Sequence, residues 1–276
     1  MNIANLFSDS EISDGEMRPT SLSLRISGPK GKLLSLLYLP GGAGPHPAVV
    51  LCHGYPGCEQ NLDLAQALRR VGFAVMTFHY AGSWNSEGDF SIVGCLDDAN
   101  AVLNAMLDNA EQWNIDTNKI FAVGHSMGGM VSAHLLAERV EIRAGVLIAP
   151  WDVGRTALLS SEDPACEKNL REVISCGFGW LRGVSCEKFG HELEKYASAL
   201  CIQFLAPMLA KKPILCISAS EDNDTPNALH TEPLNEAMKQ IGAEKFDYLS
   251  LPTDHSFSDR RITLCKTVAE YLLNFV

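Results

Sequence analysis

The stretch KIFAVGHSMGG, residues Lys119 to Gly129, decides the fold of this chain. Its first half is mostly apolar and predicts a short buried strand, and a helix is predicted to begin near Ser126. Between them lies the pattern Gly-x-Ser-x-Gly, a turn so tight that Gly124 and Gly128 must lack side chains, which lets the serine hydroxyl project freely. The helix N-terminus offers unpaired N–H groups and a positive dipole end, which favour a developing oxyanion. The stretch therefore predicts a serine nucleophile.

The rest of the chain alternates strands and helices around this turn. Apolar runs predict strands at 21–26, 33–39, 48–52, 73–78, 119–123, 144–148, 214–218 and 246–249. Helical spacing predicts helices at about 61–71, 95–107, from 126, at 231–241 and from about 258. This alternation predicts right-handed crossovers and an α/β fold, with a mostly parallel eight-stranded sheet and helices on both faces.

The alternation stops at Pro150-Trp151 and resumes at Pro213. Residues 151–210 are helical and irregular in pattern and contain no convincing buried strand, so we interpret them as a helical cap inserted after strand six. Residues 1–20 are acidic and polar and predict a flexible leader. A single α/β domain over 21–276, carrying the cap, is therefore the expected organisation.

Composition excludes several classes of function. The chain has 22 basic and 33 acidic residues and a formal charge of −11, which disfavours nucleic acid and anionic membranes as partners. No apolar run is long enough to span a membrane and no signal pattern opens the sequence, so a cytoplasmic location is expected. The nine cysteines are scattered without a CxxC pair, which predicts reduced thiols. Neither a metal-binding motif nor a cofactor-binding loop is found, so no cofactor is expected.

His255 is the predicted general base. A serine hydroxyl is a weak nucleophile at neutral pH and needs a histidine to accept its proton and an acid to fix the histidine tautomer. His255 follows the last predicted strand, at the edge where the carboxyl ends of parallel strands meet. The alternatives are a solvated loop histidine and, at Ser126, an accidental glycine-rich turn. Of the other histidines, His53 is expected to brace its loop by hydrogen bonds and His125 to point away from the reaction.

The remaining catalytic groups are predicted from their position after strands. Glu221, Asp222 and Asp224 follow the strand at 214–218 and compete for the role of the orienting acid, and a turn-forming role is the alternative for each. An oxyanion needs two N–H donors. Met127 supplies one, and the loop after the third strand supplies the other through the N–H of Tyr55.

Together these residues resemble the α/β-hydrolase-fold serine hydrolases. The resemblance rests on His53-Gly54 after the third strand, GHSMGG at 124–129, Asp222 four residues before Pro226, and Asp254-His255. The order Ser, Asp, His is that of the fold, and the resemblance covers about residues 20–276. It implies Asp222, ahead of Asp224, as the acid.

The loops suggest which hydrolases the chain is most similar to. Residues 80–90 are similar to the loop after strand four in small esterases and prolyl oligopeptidase-like hydrolases, although Ala81 stands where arginine is common. The loop at 53–57 resembles that of cinnamoyl and feruloyl esterases. The resemblance implies a cap over the active site, in the position of residues 151–210.

The expected function is hydrolysis of small or medium acyl or aryl esters, with a small-molecule ester as the substrate. A prolyl oligopeptidase-like peptidase and a non-catalytic ligand-binding protein on the same fold are the alternatives. Trp151, Phe178 and Trp180 are predicted to line an acyl or aryl pocket, and the alternative is that they form the small core of the cap. The oligomeric state stays open, with a homodimer as one option.

Overall fold

The structure, a computed structural model, describes residues 1–9 and 17–276. Within them one sheet contains eight strands: β1 Thr20–Gly28, β2 Gly31–Leu39, β3 His46–Cys52, β4 Ala74–Phe78, β5 Ile115–His125, β6 Ile142–Ile148, β7 Ile214–Ala219 and β8 Phe246–Leu251. Their order across the sheet is β1-β2-β4-β3-β5-β6-β7-β8. β2 is antiparallel to both of its neighbours, and the pairs from β4 through β8 are parallel. The predicted mostly parallel, eight-stranded sheet is confirmed.

Helices cover both faces of this sheet. Their bounds are α1 Leu62–Val71, α2 Gly94–Asp108, α3 Met127–Glu138, α4 Val153–Ser160, α5 Pro164–Ser175, α6 Cys186–Leu200, α7 Ala206–Leu209, α8 Thr231–Gln240 and α9 Arg261–Leu273. Buried side chains of α1 and α9 form one core with the sheet, whereas those of α2, α3 and α8 form the other. Such a two-sided cover is what a parallel sheet requires.

Strand β3 shows how the sequence produces the two cores. All seven of its residues are buried. Val49 and Leu51 pack with α1 and α9, while Val50 and Cys52 pack with α2 and α3, because successive side chains of a strand point to opposite faces. A continuous apolar run is therefore the pattern of a strand buried on both sides.

The segment between β6 and β7 contains α4 to α7 and, at Ile202–Leu205, a 3₁₀ helix. A Cβ on Gly154 would lie 2.2 Å from the carbonyl oxygen of Ala197, so α4 and α6 are in close backbone contact. The segment is also joined to the loop after β4. There Arg182 N–H donates to Gly82 O, and Phe90 N–H donates to Arg182 O, both at 2.9 Å. The cap therefore shares hydrogen bonds with a loop of the sheet.

Some boundaries differ from the prediction. β5 begins four residues earlier than expected, because Ile115 already pairs with His46 before a bulge. The last helix begins at Arg261 and not near Ser258, because Ser258 N–H donates to the Asp254 side chain at 2.8 Å in a turn. Within the predicted leader, Ile3–Phe7 form a 3₁₀ helix with Leu6 buried, and residues 10–16 lie outside the described residues.

In the described ranges, 1–9 and 17–276, no helix has both the length and the apolar character needed to cross a bilayer.

Candidate active site

Ser126 lies on a strained turn between β5 and α3. Its backbone has φ 57° and ψ −124°, a conformation that side chains rarely tolerate. A Cβ on Gly124 would lie 1.9 Å from Gly128 O, and a Cβ on Gly128 would lie 2.1 Å from Cys52 O. Both glycines of the predicted motif are therefore required by close backbone contacts, and the turn is held at the carboxyl edge of the central strand.

Asp222 and His255 meet at the same edge, three and four residues beyond β7 and β8. The Nδ1–H of His255 donates to Asp222 Oδ2 at 2.7 Å. The Asp222 side chain is fully buried, and the His255 side chain is 14% exposed. Because Asp222 occupies Nδ1, the free Nε2 atom is the one that can accept a proton.

The Asp222 carboxylate is the centre of a small network. Its Oδ1 accepts the N–H groups of Asp224 and Thr225 at 2.8 and 2.7 Å, and its Oδ2 accepts the Thr225 hydroxyl at 2.7 Å. Burial raises the pKa of Asp222, but hydrogen bonds from His255 and Thr225 and the attraction to His255 outweigh it and lower the pKa overall. Asp222, not Asp224, accepts the hydrogen bonds of this turn, and it stays ionised beside His255.

His125 is hydrogen-bonded to the loop that carries His255. Its Nε2–H donates to the backbone carbonyl of His255 at 2.9 Å, and the two rings lie 4.7 Å apart. Burial and, second, the charge of His255 lower the pKa of His125 to about 3, so His125 is neutral. As expected, it uses its ring on a backbone group and not on the nucleophile.

The loop after β3 lies against the serine. A Cβ on Gly54 would be 2.9 Å from the Cβ of Ser126 and 3.4 Å from its Oγ. His53 Nδ1–H donates to Gly54 O at 2.7 Å, which confirms its predicted bracing role. A trans peptide points its C=O and N–H in opposite directions, so this bond turns the Tyr55 N–H away from the His53 ring. Met127, the first residue of α3, carries one of the unpaired first-turn N–H groups.

The three predicted pocket residues fall into two environments. Trp151 is 4% exposed, its indole N–H donates to Thr156 at 3.1 Å, and its backbone N–H donates to Ser126 O at 2.9 Å. Phe178 and Trp180 are 44% and 55% exposed. The Trp180 ring lies 5.5 Å from the ring of Trp84. Trp151 is thus part of the buried core, whereas Phe178 and Trp180 lie at the surface.

Among the described residues, three side chains of this site also have the chemistry to ligate a cation. Single ligand atoms of Asp222, Asp224 and His255 lie within 4.8 Å of one another. Both oxygens of Asp222 already accept two hydrogen bonds each, so a cation would have to compete with the bonds from Thr225 and His255. The arrangement therefore suits proton transfer better than metal binding.

A protein-family profile described as "Serine aminopeptidase, S33" matches residues 43–240, well over half of the chain. The chain belongs to this hydrolase family. The α/β-hydrolase fold predicted for it is thereby confirmed.

The sequence identity between this S33-family chain and individual relatives is low. It is 26% identical to Cutinase 1 of Thermobifida cellulosilytica over 123 residues, which cover 43% of this chain and 45% of the cutinase. The matched part thus spans less than half the length of that curated relative.

Two solved structures share the fold of the S33-family chain with a TM-score of 0.68 each. One is an esterase from Pyrococcus furiosus that is 17% identical, and the alignment covers 93% of this chain and 92% of the esterase. The second is the acylaminoacyl peptidase of Pyrococcus horikoshii, which is 18% identical, and the alignment covers 93% of this chain and 41% of the peptidase. At these identities the likeness establishes the fold and leaves the substrate open.

Two residues of this S33-family site could not be predicted from the sequence. Thr225 bonds both Asp222 and His255, with Oγ1 3.1 Å from His255 Nδ1. Trp84 donates its indole N–H to Gly57 O at 3.1 Å, in the loop beside the serine. In the sequence, the proline after Thr225 indicates only a turn. Trp84 lies in the loop at 80–90, which resembles other hydrolases as a loop without giving Trp84 a role. Neither position carries a signal in the sequence that names its partner.

Proposed function

We propose that this protein is a serine hydrolase that cleaves carboxylic esters of small or medium acyl or aryl groups. The observation that carries the proposal is the bond of 2.7 Å between His255 Nδ1 and Asp222 Oδ2, at the sheet edge that also holds the strained Ser126 turn. Strain at a non-glycine residue is costly, and it is retained where it serves a function. The non-catalytic alternative leaves this strain without a purpose.

The reaction follows from the proposed roles. Ser126 Oγ attacks the ester carbonyl carbon while His255 Nε2 takes the hydroxyl proton, and Asp222 stabilises the imidazolium. The oxyanion accepts hydrogen bonds from the N–H groups of Met127 and Tyr55. The C–O bond to the alcohol then breaks, and the alcohol leaves with the proton from His255. Water then attacks the acyl carbon while His255 Nε2 takes its proton. The bond to Ser126 Oγ breaks, Ser126 regains a proton from His255, and the acid is released.

The second candidate is a peptidase. It is favoured by the description of the family as a serine aminopeptidase and by the fold shared with an acylaminoacyl peptidase. Against it, the fold is shared equally with an esterase, and a curated relative is named a cutinase. Amides also demand protonation of a poorer leaving group, and the sequence offers no recognisable acidic pair to bind a substrate amine. We therefore rank ester hydrolysis first.

The test is a panel of p-nitrophenyl acyl esters, aryl-acid methyl esters and aminoacyl p-nitroanilides, assayed with the wild type and Ser126→Ala. The proposal expects kcat/KM for the best ester to exceed that for the best amide by at least about a hundredfold, with Ser126→Ala inactive on both. Higher kcat/KM on aminoacyl anilides would make the peptidase the correct assignment. Wild-type rates equal to those of Ser126→Ala on every substrate would favour the binding protein.

A further inference from the structure

We propose that Thr225 is a positioning residue of the triad: its hydroxyl oxygen is a second acceptor for His255 Nδ1–H and stabilises the imidazolium that forms during turnover. This inference rests on the proposed function, since it assigns Thr225 a part in the same proton transfer. It extends the site beyond the serine, the histidine and the acid.

Three atoms carry the argument. Thr225 Oγ1 lies 2.7 Å from Asp222 Oδ2 and 3.1 Å from His255 Nδ1, and those two atoms lie 2.7 Å from each other. A carboxylate can only accept, and the Nδ1–H that donates to it cannot also accept. The hydroxyl can donate to Asp222 Oδ2 at 2.7 Å or to the carbonyl oxygen of Ala149 at 3.5 Å. The much shorter contact directs the hydrogen to Asp222, and the lone pairs of the hydroxyl oxygen then face the Nδ1–H of His255.

The backbone keeps this hydroxyl in place. Thr225 is 5% exposed, and its N–H donates to the other oxygen of Asp222 at 2.7 Å. The loop after β7 is itself tied to the loop of His255, because Glu221 N–H donates to Thr253 O at 3.0 Å. The dipole of the hydroxyl is thus preorganised, with its negative end toward the ring that becomes positive, and no reorientation is needed when the proton arrives.

A pH measurement must account for the other groups around His255. These groups come from the end of β5, the loops after β7 and β8, the start of α8, and α9: His125, Asp222, Asp224, Asp254, His230 and Arg261. All of them remain unchanged when Thr225 is substituted. A difference in pH dependence between the wild type and a Thr225 variant therefore reports on the hydroxyl.

The experiment compares Thr225→Val, which keeps the shape and removes the hydroxyl, with Thr225→Ser, which keeps the hydroxyl. Thr231→Val is the matched control, because Thr231 is equally buried but bonds Asn227 and Tyr248. Hydrolysis of p-nitrophenyl butyrate is followed as a function of pH. In parallel, the ring signals of His255 are titrated by NMR, and circular dichroism checks that each variant is folded.

We expect Thr225→Val to lower kcat about tenfold with KM within about twofold, the loss of one hydrogen bond to a charged ring. Without the second acceptor the imidazolium is less stable, so the acid limb of kcat/KM moves to lower pH by about half a unit to one unit. In Thr225→Ser and Thr231→Val, the acid limb of kcat/KM should stay at the wild-type pH. The NMR midpoint of His255 should move with the limb.

Three results would overturn the inference: a limb and an NMR midpoint that do not move, a shift to higher pH, or the same shift in Thr231→Val. The NMR titration separates this inference from the proposed function. A lowered midpoint in Thr225→Val, with a wild type that hydrolyses nothing, would reject the proposed function and still show that the Thr225 hydroxyl stabilises the charged ring of His255. An unmoved midpoint in Thr225→Val, with an active wild type, would keep the proposed function and reject the role of Thr225.

Discussion

The sheet edge that carries Ser126 and the part of the cap that carries Phe178 and Trp180 differ in how far their neighbours constrain them. At the edge, Gly124, Gly128 and Asp222 are fixed by backbone contacts and by hydrogen bonds to backbone N–H groups. In the cap, Phe178 and Trp180 keep 44% and 55% of their surface exposed. The groups proposed for the chemistry are thus fixed at the sheet edge, whereas two of the three side chains predicted to line the substrate pocket are largely exposed.

The largest effect is expected from Asp222→Asn. The amide cannot hold the imidazolium of His255 or fix its tautomer as the carboxylate does, so kcat should fall by up to about four orders of magnitude. Turnover of p-nitrophenyl butyrate by the purified, folded variant is the measurement.

Asp224→Asn is the matched control for that comparison. Asp224 joins the network only through its backbone N–H, so its side chain can be changed with less than about a tenfold loss. If Asp224→Asn lost more activity than Asp222→Asn, the acid of the triad would be Asp224.

The next effect contrasts two tryptophans predicted for the same pocket. Trp151→Ala should lower the free energy of unfolding by about 3–5 kcal/mol, because Trp151 is 4% exposed and leaves a cavity. Trp180→Ala should cost less than about 1 kcal/mol and should change the preference between aryl and acyl esters. Urea unfolding and the ester panel measure the two quantities. A large loss of stability with uniform loss on every ester would make Trp180 part of the core of the cap.

A smaller effect is expected in acid. Burial lowers the pKa of both His53 and His125 to about 3, with the charges of His79 and His255 as the second cause in each. An unfolded histidine titrates near 6.5, so between pH 6.5 and about 3 only the unfolded chain binds these protons, and acid destabilises the fold. From pH 6.5 to 5 each imidazole should remove about 2 kcal/mol.

Urea unfolding at pH 6.5 and pH 5 checks this. His125→Asn should reduce the pH dependence by about 2 kcal/mol. His191→Asn should leave it unchanged, because the His191 side chain in the cap is 80% exposed. Equal pH dependence in the wild type and His125→Asn would show that the buried ring is not the source.

The sequence predicts the sheet well because its signals are local. The apolar runs of β3 and β5 and the close contact of Gly124 with Gly128 each describe a structure formed within a few residues. β7 ends at Ala219, one residue beyond the predicted 214–218, and the polar residues after it cannot continue a buried strand.

The role of Thr225 could not be predicted because it depends on two loops that meet only in the folded sheet. Thr225 and His255 are 30 positions apart in the chain, and their contact needs β7 and β8 to be neighbours in register. The environments of Trp151 and Trp180 were hidden for a similar reason. Both are large apolar residues of the cap, and the fold buries Trp151 against Thr156 and Tyr55 while Trp180 lies exposed beside Trp84.

If Ser126 is a nucleophile activated by His255, a reagent that traps reactive serines should modify it covalently. The wild type is treated with a fluorophosphonate, and the modified peptide is identified by mass spectrometry beside Ser126→Ala and His255→Ala. We expect one adduct per chain, on Ser126, absent from Ser126→Ala and formed far more slowly in His255→Ala. Labelling that persists in Ser126→Ala, or an adduct on another serine in the wild type, would contradict it.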